Sequence, residues 1–283
     1  MNRKLQEKKA QIFKSLHTSG KLLILPNIWN PIGARILEAR GFPAAATASS
    51  AISASLGYED SEKIKLSTLI DILFRIAKSV EIPVTADIES GFADSIPELK
   101  ETILQVIDSG VVGINIEDSV VEGEALRPVD EQCERIAAVR DISDRQGIYL
   151  IINARVDSFL SNTFQTSEEK IEDTVIRAKA YTRAGVDCIY PIGPGDRETL
   201  EILRSLITLP INILATPKTE PLNVLQEIGI NRVSFGPFIF RSCLKKFVNI
   251  VDELNHLGNY ECFGKDMMSS AETNQFLIHE EEQ

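Results

Sequence analysis

Eight short apolar runs recur along this chain, with amphipathic stretches of helical period between them. They span residues 22–28, 44–49, 83–88, 113–118, 150–155, 188–193, 211–216 and 232–237. Several of the intervening stretches end at a glycine: residues 31–40 at Gly41, 98–109 at Gly110, 168–184 at Gly185 and 221–228 at Gly229. A glycine just past a helix takes the left-handed backbone that closes it before the next strand. Strand–helix alternation of this kind requires parallel strands joined by crossover helices. Eight units are the number that closes a (β/α)8 TIM barrel, an α/β fold of roughly 250 residues. A doubly wound sheet would carry a glycine-rich turn after its first strand, and here that strand runs into Pro26-Asn27-Ile28-Trp29-Asn30-Pro31. The expectation is one barrel domain over residues 1–258, including an extra N-terminal helix within residues 1–20, followed by a polar C-terminal tail over 259–283.

Composition narrows the partners. The 283 residues include 41 acidic and 30 basic side chains, a formal charge of -11, the wrong sign for a nucleic-acid or anionic-membrane surface. An anionic substrate must then be held locally, by an arginine or a cation. The N-terminus is charged from Arg3 to Lys9 and no apolar stretch approaches the roughly 18 residues of a membrane span, so the expected location is cytoplasmic. Cys133, Cys188, Cys243 and Cys262 show neither C-x-x-C nor other ligand spacing, which suggests free thiols instead of a disulfide framework or a zinc site.

Charged clusters sit where three of the apolar runs end: Asp87-Ile88-Glu89-Ser90-Gly91-Phe92, Ile116-Glu117-Asp118 and Asn153-Ala154-Arg155-Val156-Asp157. A closed parallel barrel gathers such strand ends on one rim, where enzymes of this architecture carry their chemistry. Strand side chains alternate with period two, so Asp87 and Glu89 are expected on one face. With Glu117 they form an oxygen-rich site suited to Mg²⁺ or Mn²⁺. Arg155 leaves a strongly apolar strand, and its planar fork suits a carboxylate. Its alternative role is a structural salt bridge to Asp157 or Glu117.

These residues resemble the isocitrate lyase/phosphoenolpyruvate mutase superfamily. The likeness extends over residues 22–257 and adds Ala48-Ser49-Ser50, Leu56-Gly57-Tyr58-Glu59-Asp60, Ala184-Gly185-Val186-Asp187 and Val233-Ser234-Phe235-Gly236-Pro237, in the family's order. The resemblance implies a barrel whose last helix is swapped between paired subunits, in a homotetramer built as a dimer of dimers. It also implies Mg²⁺ held by Asp87, Glu89 and Glu117, and a 2-oxo acid bound by Ser49, Ser50, Asn153 and Arg155, with Asn212 lining the pocket. Asp60 would hold metal-bound water or orient substrate. The common intermediate of the family is an enolate beside the metal.

One departure bears on the substrate. Carbon–carbon lyases of the family carry a Lys-Lys-Cys-Gly-His stretch after the strand ending at Glu117-Asp118; this chain reads Ser119-Val120-Val121-Glu122-Gly123-Glu124-Ala125-Leu126-Arg127-Pro128. The loop lysine and asparagine of the phosphorus-handling members are missing too. His17, His256 and His279 lie away from the rim, so a proton donor must come from Tyr58, Tyr190, Glu122, Glu124 or water. The sequence therefore predicts a Mg²⁺-dependent lyase or hydrolase acting on an oxaloacetate-like 2-oxo acid. The alternatives are an enzyme of the phosphonopyruvate or phosphoenolpyruvate C–P type, and a non-catalytic 2-oxo-acid binding barrel.

Overall fold

The computed structural model of the chain describes residues 2–120, 125–256, 260, 261, 263 and 267–277. In chain order the elements are α1 (Arg3–His17), β1 (Leu23–Leu25), β2 (Asn27–Ile28), α2 (Pro31–Ala39), β3 (Ala45–Thr47), α3 (Ser49–Ser55), α4 (Leu66–Lys78), β4 (Val84–Asp87), α5 (Ile96–Asp108) and β5 (Gly113–Glu117). There follow α6 (Val129–Gln146), β6 (Ile151–Val156), α7 (Ser167–Ala184), β7 (Cys188–Pro191), α8 (Arg197–Leu206), β8 (Asn212–Leu214), α9 (Leu222–Ile228), β9 (Arg232–Ser234) and α10 (Phe238–Asn255), with a last short helix at Ser270–Asn274.

Strands β2 to β7 pair in sequence order, and β1, β9 and β8 pair as a second ladder, all parallel. A parallel bridge between Ile189 and Ile211 joins β7 to β8. Strands β1 and β2 are two halves of the first apolar run, parted at Pro26, which has no N–H to give a ladder. The nine short strands are thus the eight staves of a closed (β/α)8 barrel. Asn27 seals the seam at Pro26 with its side chain: Phe235 and Gly236 donate backbone N–H bonds to Asn27 Oδ1 at 2.7 and 2.9 Å, and Asn27 Nδ2 donates to Thr47 O at 2.8 Å.

Local chemistry sets the helix ends. Ser95 and Glu98 form a capping box at the start of α5, and Thr166 with Glu169 does the same for α7, satisfying N–H groups that have no partner inside the helix. Gly185 and Gly229 close α7 and α9 at φ 106° and 89°. The strands, covered by helices outside and by one another inside, read as near-continuous Ile and Val because both faces are buried.

Helix α1 closes the floor of the barrel. Phe13 is fully buried against the start of β5, where a Cβ on Gly113 would lie 2.6 Å from Phe13 Cε1. Gln6 Nε2 donates to Ile107 O and Val111 O, and Lys9 Nζ to Val80 O. Above Phe13, the buried Arg232 side chain reaches Asn115 Oδ1 at 3.2 Å and His17 Nε2 at 3.5 Å. At the other end, α10 is rooted by Phe240, whose ring meets Trp29 edge-on at 5.0 Å. Beyond α10, Ser269 and Glu272 form a further capping box and Phe276 is buried. Cys133, Cys188 and Cys243 are free thiols, and no helix among the described residues is long and apolar enough to cross a membrane.

Candidate active site

The C-terminal ends of β4, β5 and β6 bring Asp87, Glu117 and Arg155 to one rim. In the ladder, Glu117 lies opposite Arg155, and Arg155 opposite Tyr190. The alternation of β5 separates two neighbouring acids: Glu117 turns into the mouth, whereas Asp118 turns outward to the Arg177 guanidinium and the Tyr181 hydroxyl. Asp118 also accepts from the Asp157 backbone N–H at 3.0 Å. Asp157 in turn grips Arg155 through both carboxylate oxygens, at 2.6 and 2.8 Å, while Arg155 Nη1 meets Glu117 Oε2 at 2.5 Å. Both structural salt bridges open to Arg155 are therefore made.

Asp87 Oδ2 accepts from Ser49 Oγ at 3.0 Å and, at 3.3 Å, from Ser49 N–H. Glu89 reaches the cluster by a route other than strand alternation. Strand β4 stops at Asp87, and Glu89 has a left-handed backbone at φ 53°, so the period-two argument does not account for its placement. Its Oε2 accepts from Glu62 N–H at 2.6 Å, and its Oε1 is buried without a hydrogen-bond partner.

The proximity of these groups raises their affinity for protons. Burial, then the Asp60 and Asp87 carboxylates, push Glu89 up to about 8. Burial and then Asp87 raise Asp60 against hydrogen bonds from Ser61 and Ser49. Burial raises Glu117 as well, with Arg155 opposing. Four carboxylates thus share a region in which Arg155 is the guanidinium partner, and the surplus is relieved by taking up protons or by a cation. An all-oxygen donor set with the bare Glu89 Oε1 fits a hard divalent ion. Among the described residues no three His, Cys, Asp or Glu side chains form a direct coordination set. An ion there would have to be held directly by few protein ligands and otherwise through water, as Mg²⁺ commonly is.

The other expected site residues are placed as follows. Ser50 is half-buried in the first turn of α3. Asn153 and Asn212 are fully buried beneath the carboxylates and do not line the opening: Asn153 donates to Asn115 Oδ1 at 2.8 Å and Asn212 to Ser234 Oγ at 3.2 Å. Asn153 shares the inward face of Arg155 but stands one pleat deeper, hence its burial. Tyr58 is 55% exposed, in the turn after α3. Glu122 and Glu124 lie outside the described residues. The flanks of their loop are joined by a bridge between Ser119 and Leu126, and Ser119 Oγ donates to Glu117 Oε1 at 2.9 Å. Sequence reasoning missed Glu62, although Asp60-Ser61-Glu62 repeats the Asp-x-Glu spacing of Asp87-Ile88-Glu89.

The family model for phosphoenolpyruvate phosphomutase matches residues 13–255. The chain belongs to that family. It is an enzyme of the phosphoenolpyruvate mutase/isocitrate lyase superfamily, a group of lyases and mutases. Among its relatives, a 2-methylisocitrate lyase of Aeropyrum pernix is 27% identical over 264 residues, covering 89% of this chain and 82% of the other. An oxaloacetate decarboxylase of Pseudomonas putida is 26% identical over 244 residues, 82% and 80% of the two chains. A phosphonopyruvate hydrolase solved with oxalate and Mg²⁺ shares the fold, with a TM-score of 0.82 over 95% of this chain and 94% of that one at 21% identity.

Proposed function

We propose that this family member cleaves or decarboxylates a small 2-oxo acid at the carboxylate cluster, an oxaloacetate-like dicarboxylate ahead of a phosphonopyruvate-like compound. The observation that carries the reading is Glu89 Oε1, a buried carboxylate oxygen with no hydrogen bond, set among three further carboxylates. Such a group is costly as a bare anion, and a proton or a cation completes it. Asp87 would hold Mg²⁺ directly, Mn²⁺ being of the same chemical class, with Glu89, Glu117 and Asp60 acting through water. A divalent ion there supplies positive charge beside the oxygen on which negative charge develops when a bond next to a carbonyl breaks.

The chain's own residues supply the remainder. Asp157 and Glu117 fix the plane of Arg155, and the donors not used in those bonds are free to hold a substrate carboxylate. Tyr190, opposite Arg155 in the ladder, is pushed up to about 12 by burial and so keeps its proton at neutral pH. We assign it, beside Tyr58, the role of proton donor. The names of the relatives, an oxaloacetate decarboxylase and a 2-methylisocitrate lyase, support the substrate class, and the hydrolase solved with oxalate and Mg²⁺ supports the ion.

Helix α10 supports the expected partner, a second copy of the chain. Phe240 is its buried residue, whereas Leu244, Phe247, Val248, Val251 and Leu254 form an exposed apolar stripe at helical spacing. Exchange of this helix between subunits covers the stripe, and pairing of such dimers gives the homotetramer. The enzyme would act in the cytoplasm, without nucleic-acid or membrane partners.

Turnover of a panel of 2-oxo acids with and without Mg²⁺, beside calorimetry with oxalate, tests the reading. Mg²⁺-dependent consumption of oxaloacetate is expected. Oxalate binding with no turnover would make the protein a 2-oxo-acid binding barrel, and absence of both would refute the site.

A further inference from the structure

Two loops meet over the barrel mouth, and between them they hold every non-glycine residue of positive φ among the described residues. These are Ser61 at 72°, Glu62 at 58°, Glu89 at 53° and Phe92 at 50°. Backbone of this kind persists only where its surroundings over-determine it, and it concentrates at working sites. Here the surroundings are the two loops themselves. Glu62 Oε1 accepts from Ser90 Oγ at 2.7 Å and from Phe92 N–H at 2.8 Å, and Glu62 N–H donates back to Glu89 Oε2 at 2.6 Å. From below, the buried Arg135 donates to Ser90 O at 2.6 Å and Ala93 O at 3.1 Å. A Cβ on Gly91 would lie 2.7 Å from Leu99 Cδ1 and 3.2 Å from Arg135 Nη2. The loop after β4 therefore has no room to relax downward, and its upper side is held by Glu62.

We infer that Glu62 is the positioning residue of this mouth: its carboxylate and its backbone N–H clamp the loop carrying Asp60 onto the loop carrying Glu89, setting the spacing of the carboxylates that receive a cation. The cation rests on the function proposed above; the clamp rests on the hydrogen bonds alone. Glu62 acts through the loop that its N–H and Oε1 hold. Its effect is to keep Glu89 in a left-handed backbone that brings a carboxylate past the end of β4 to the side of Asp87. An acceptor is what the clamp requires, so a glutamine should serve where an alanine cannot.

The experiment compares Glu62→Ala, Glu62→Gln and wild type by Mg²⁺ calorimetry, by hydrogen exchange over residues 89–93 and by thermal unfolding. Glu62→Ala is expected to weaken Mg²⁺ by about ten-fold or more, as loss of a group supporting metal ligands does, and to speed exchange at the Phe92 amide. Glu62→Gln should recover most of both. Unchanged Mg²⁺ affinity and exchange in Glu62→Ala would overturn the inference, and so would equal losses in the two variants. If wild type binds no Mg²⁺, the proposed function fails, and the exchange data still decide the clamp: faster exchange in Ala but not in Gln supports it, and no difference overturns it. Should Glu62→Ala not fold, Ser90→Ala, which removes one of the two bonds to Oε1, supplies the same comparison.

Discussion

At the mouth of the barrel Asp60, Asp87, Glu89 and Glu117 gather around Arg155, whereas at the floor Arg232 is fully buried with no carboxylate in ion-pair contact among the described residues. The mouth carries a surplus of negative charge and the floor a surplus of positive charge. They tolerate it in different ways. A carboxylate can take up a proton, so the mouth adjusts its charge to its contents, and Glu89 and Glu117 are raised accordingly. Arginine does not give up its proton, so the floor must solvate a fixed charge with neutral groups: Asn115 Oδ1, His17 Nε2 and the Phe13 ring, 6.0 Å from the guanidinium carbon. His17 can accept from Arg232 because its Nδ1 faces Phe13 O at 2.8 Å and carries the proton. The lesson is that adjustable charge marks the place for a ligand, and fixed charge with neutral partners marks structure.

The contrast can be broken most sharply at Asp87. Asp87→Ala is expected to abolish Mg²⁺ binding in calorimetry while the circular dichroism stays that of wild type; an undiminished affinity would place the ion away from this rim. Phe13→Ala attacks the floor instead. It should cost roughly 3–5 kcal/mol in urea unfolding and leave the Mg²⁺ affinity of the folded protein as it was. A parallel loss of affinity would show that floor and mouth are one cooperative unit.

The pH dependence of stability sharpens the comparison, because the two regions pull in opposite directions. His17 is lowered from 6.5 to about 4 by burial and then by Arg232. The unfolded chain therefore binds the extra proton in that window, and stability falls as pH drops from 6.5 towards 4. The loss amounts to about 3 kcal/mol at most, and a His17→Gln variant should lack this part of the acid slope. Glu89 is raised from 4.5 to about 8. Its contribution is full below 4.5 and is lost as pH rises through 8, so metal-free wild type should weaken across that range. Glu89→Gln should be the more stable of the two at pH 8, by roughly 1–3 kcal/mol, and Mg²⁺ should stabilise wild type more than the variant. Equal pH profiles for the two proteins would remove Glu89 from the cluster.

Much of the frame was legible in the sequence. Each of the eight apolar runs holds a stave of the barrel, and the glycines after four of the helical stretches, including Gly185 and Gly229, take the left-handed turn expected of them. Asp87, Glu117 and Arg155 were legible for the same reason, since a strand end fixes where its last side chains go. What lay beyond a strand was not. Glu89 sits among its neighbours through a loop conformation that no periodicity encodes, and Glu62 reaches it from a segment 27 residues away. Tyr58 matched by order along the chain, which says nothing about where a turn points its side chain. Asn153 is expected to bind the substrate and Asn212 to line the pocket, but depth within a barrel depends on stagger between strands. The floor was equally hidden, because Phe13 meets Gly113 across a hundred positions with no shared local pattern.

The seam at Pro26 bears on how the chain reaches this structure in time. Strands β3 to β7 each pair with the strand made just before, so a growing chain can lay them down in order. Strand β1 has no such neighbour. Its ladder partner is β9, and the Asn27 bonds that seal the gap span 208 and 209 residues. Contacts so distant in sequence form slowly, because the chain entropy of closing a long loop is lost before they form. The barrel's first strand is therefore the last to be covered, and Leu23, Ile24 and Leu25 remain an open apolar edge until synthesis has passed Gly236.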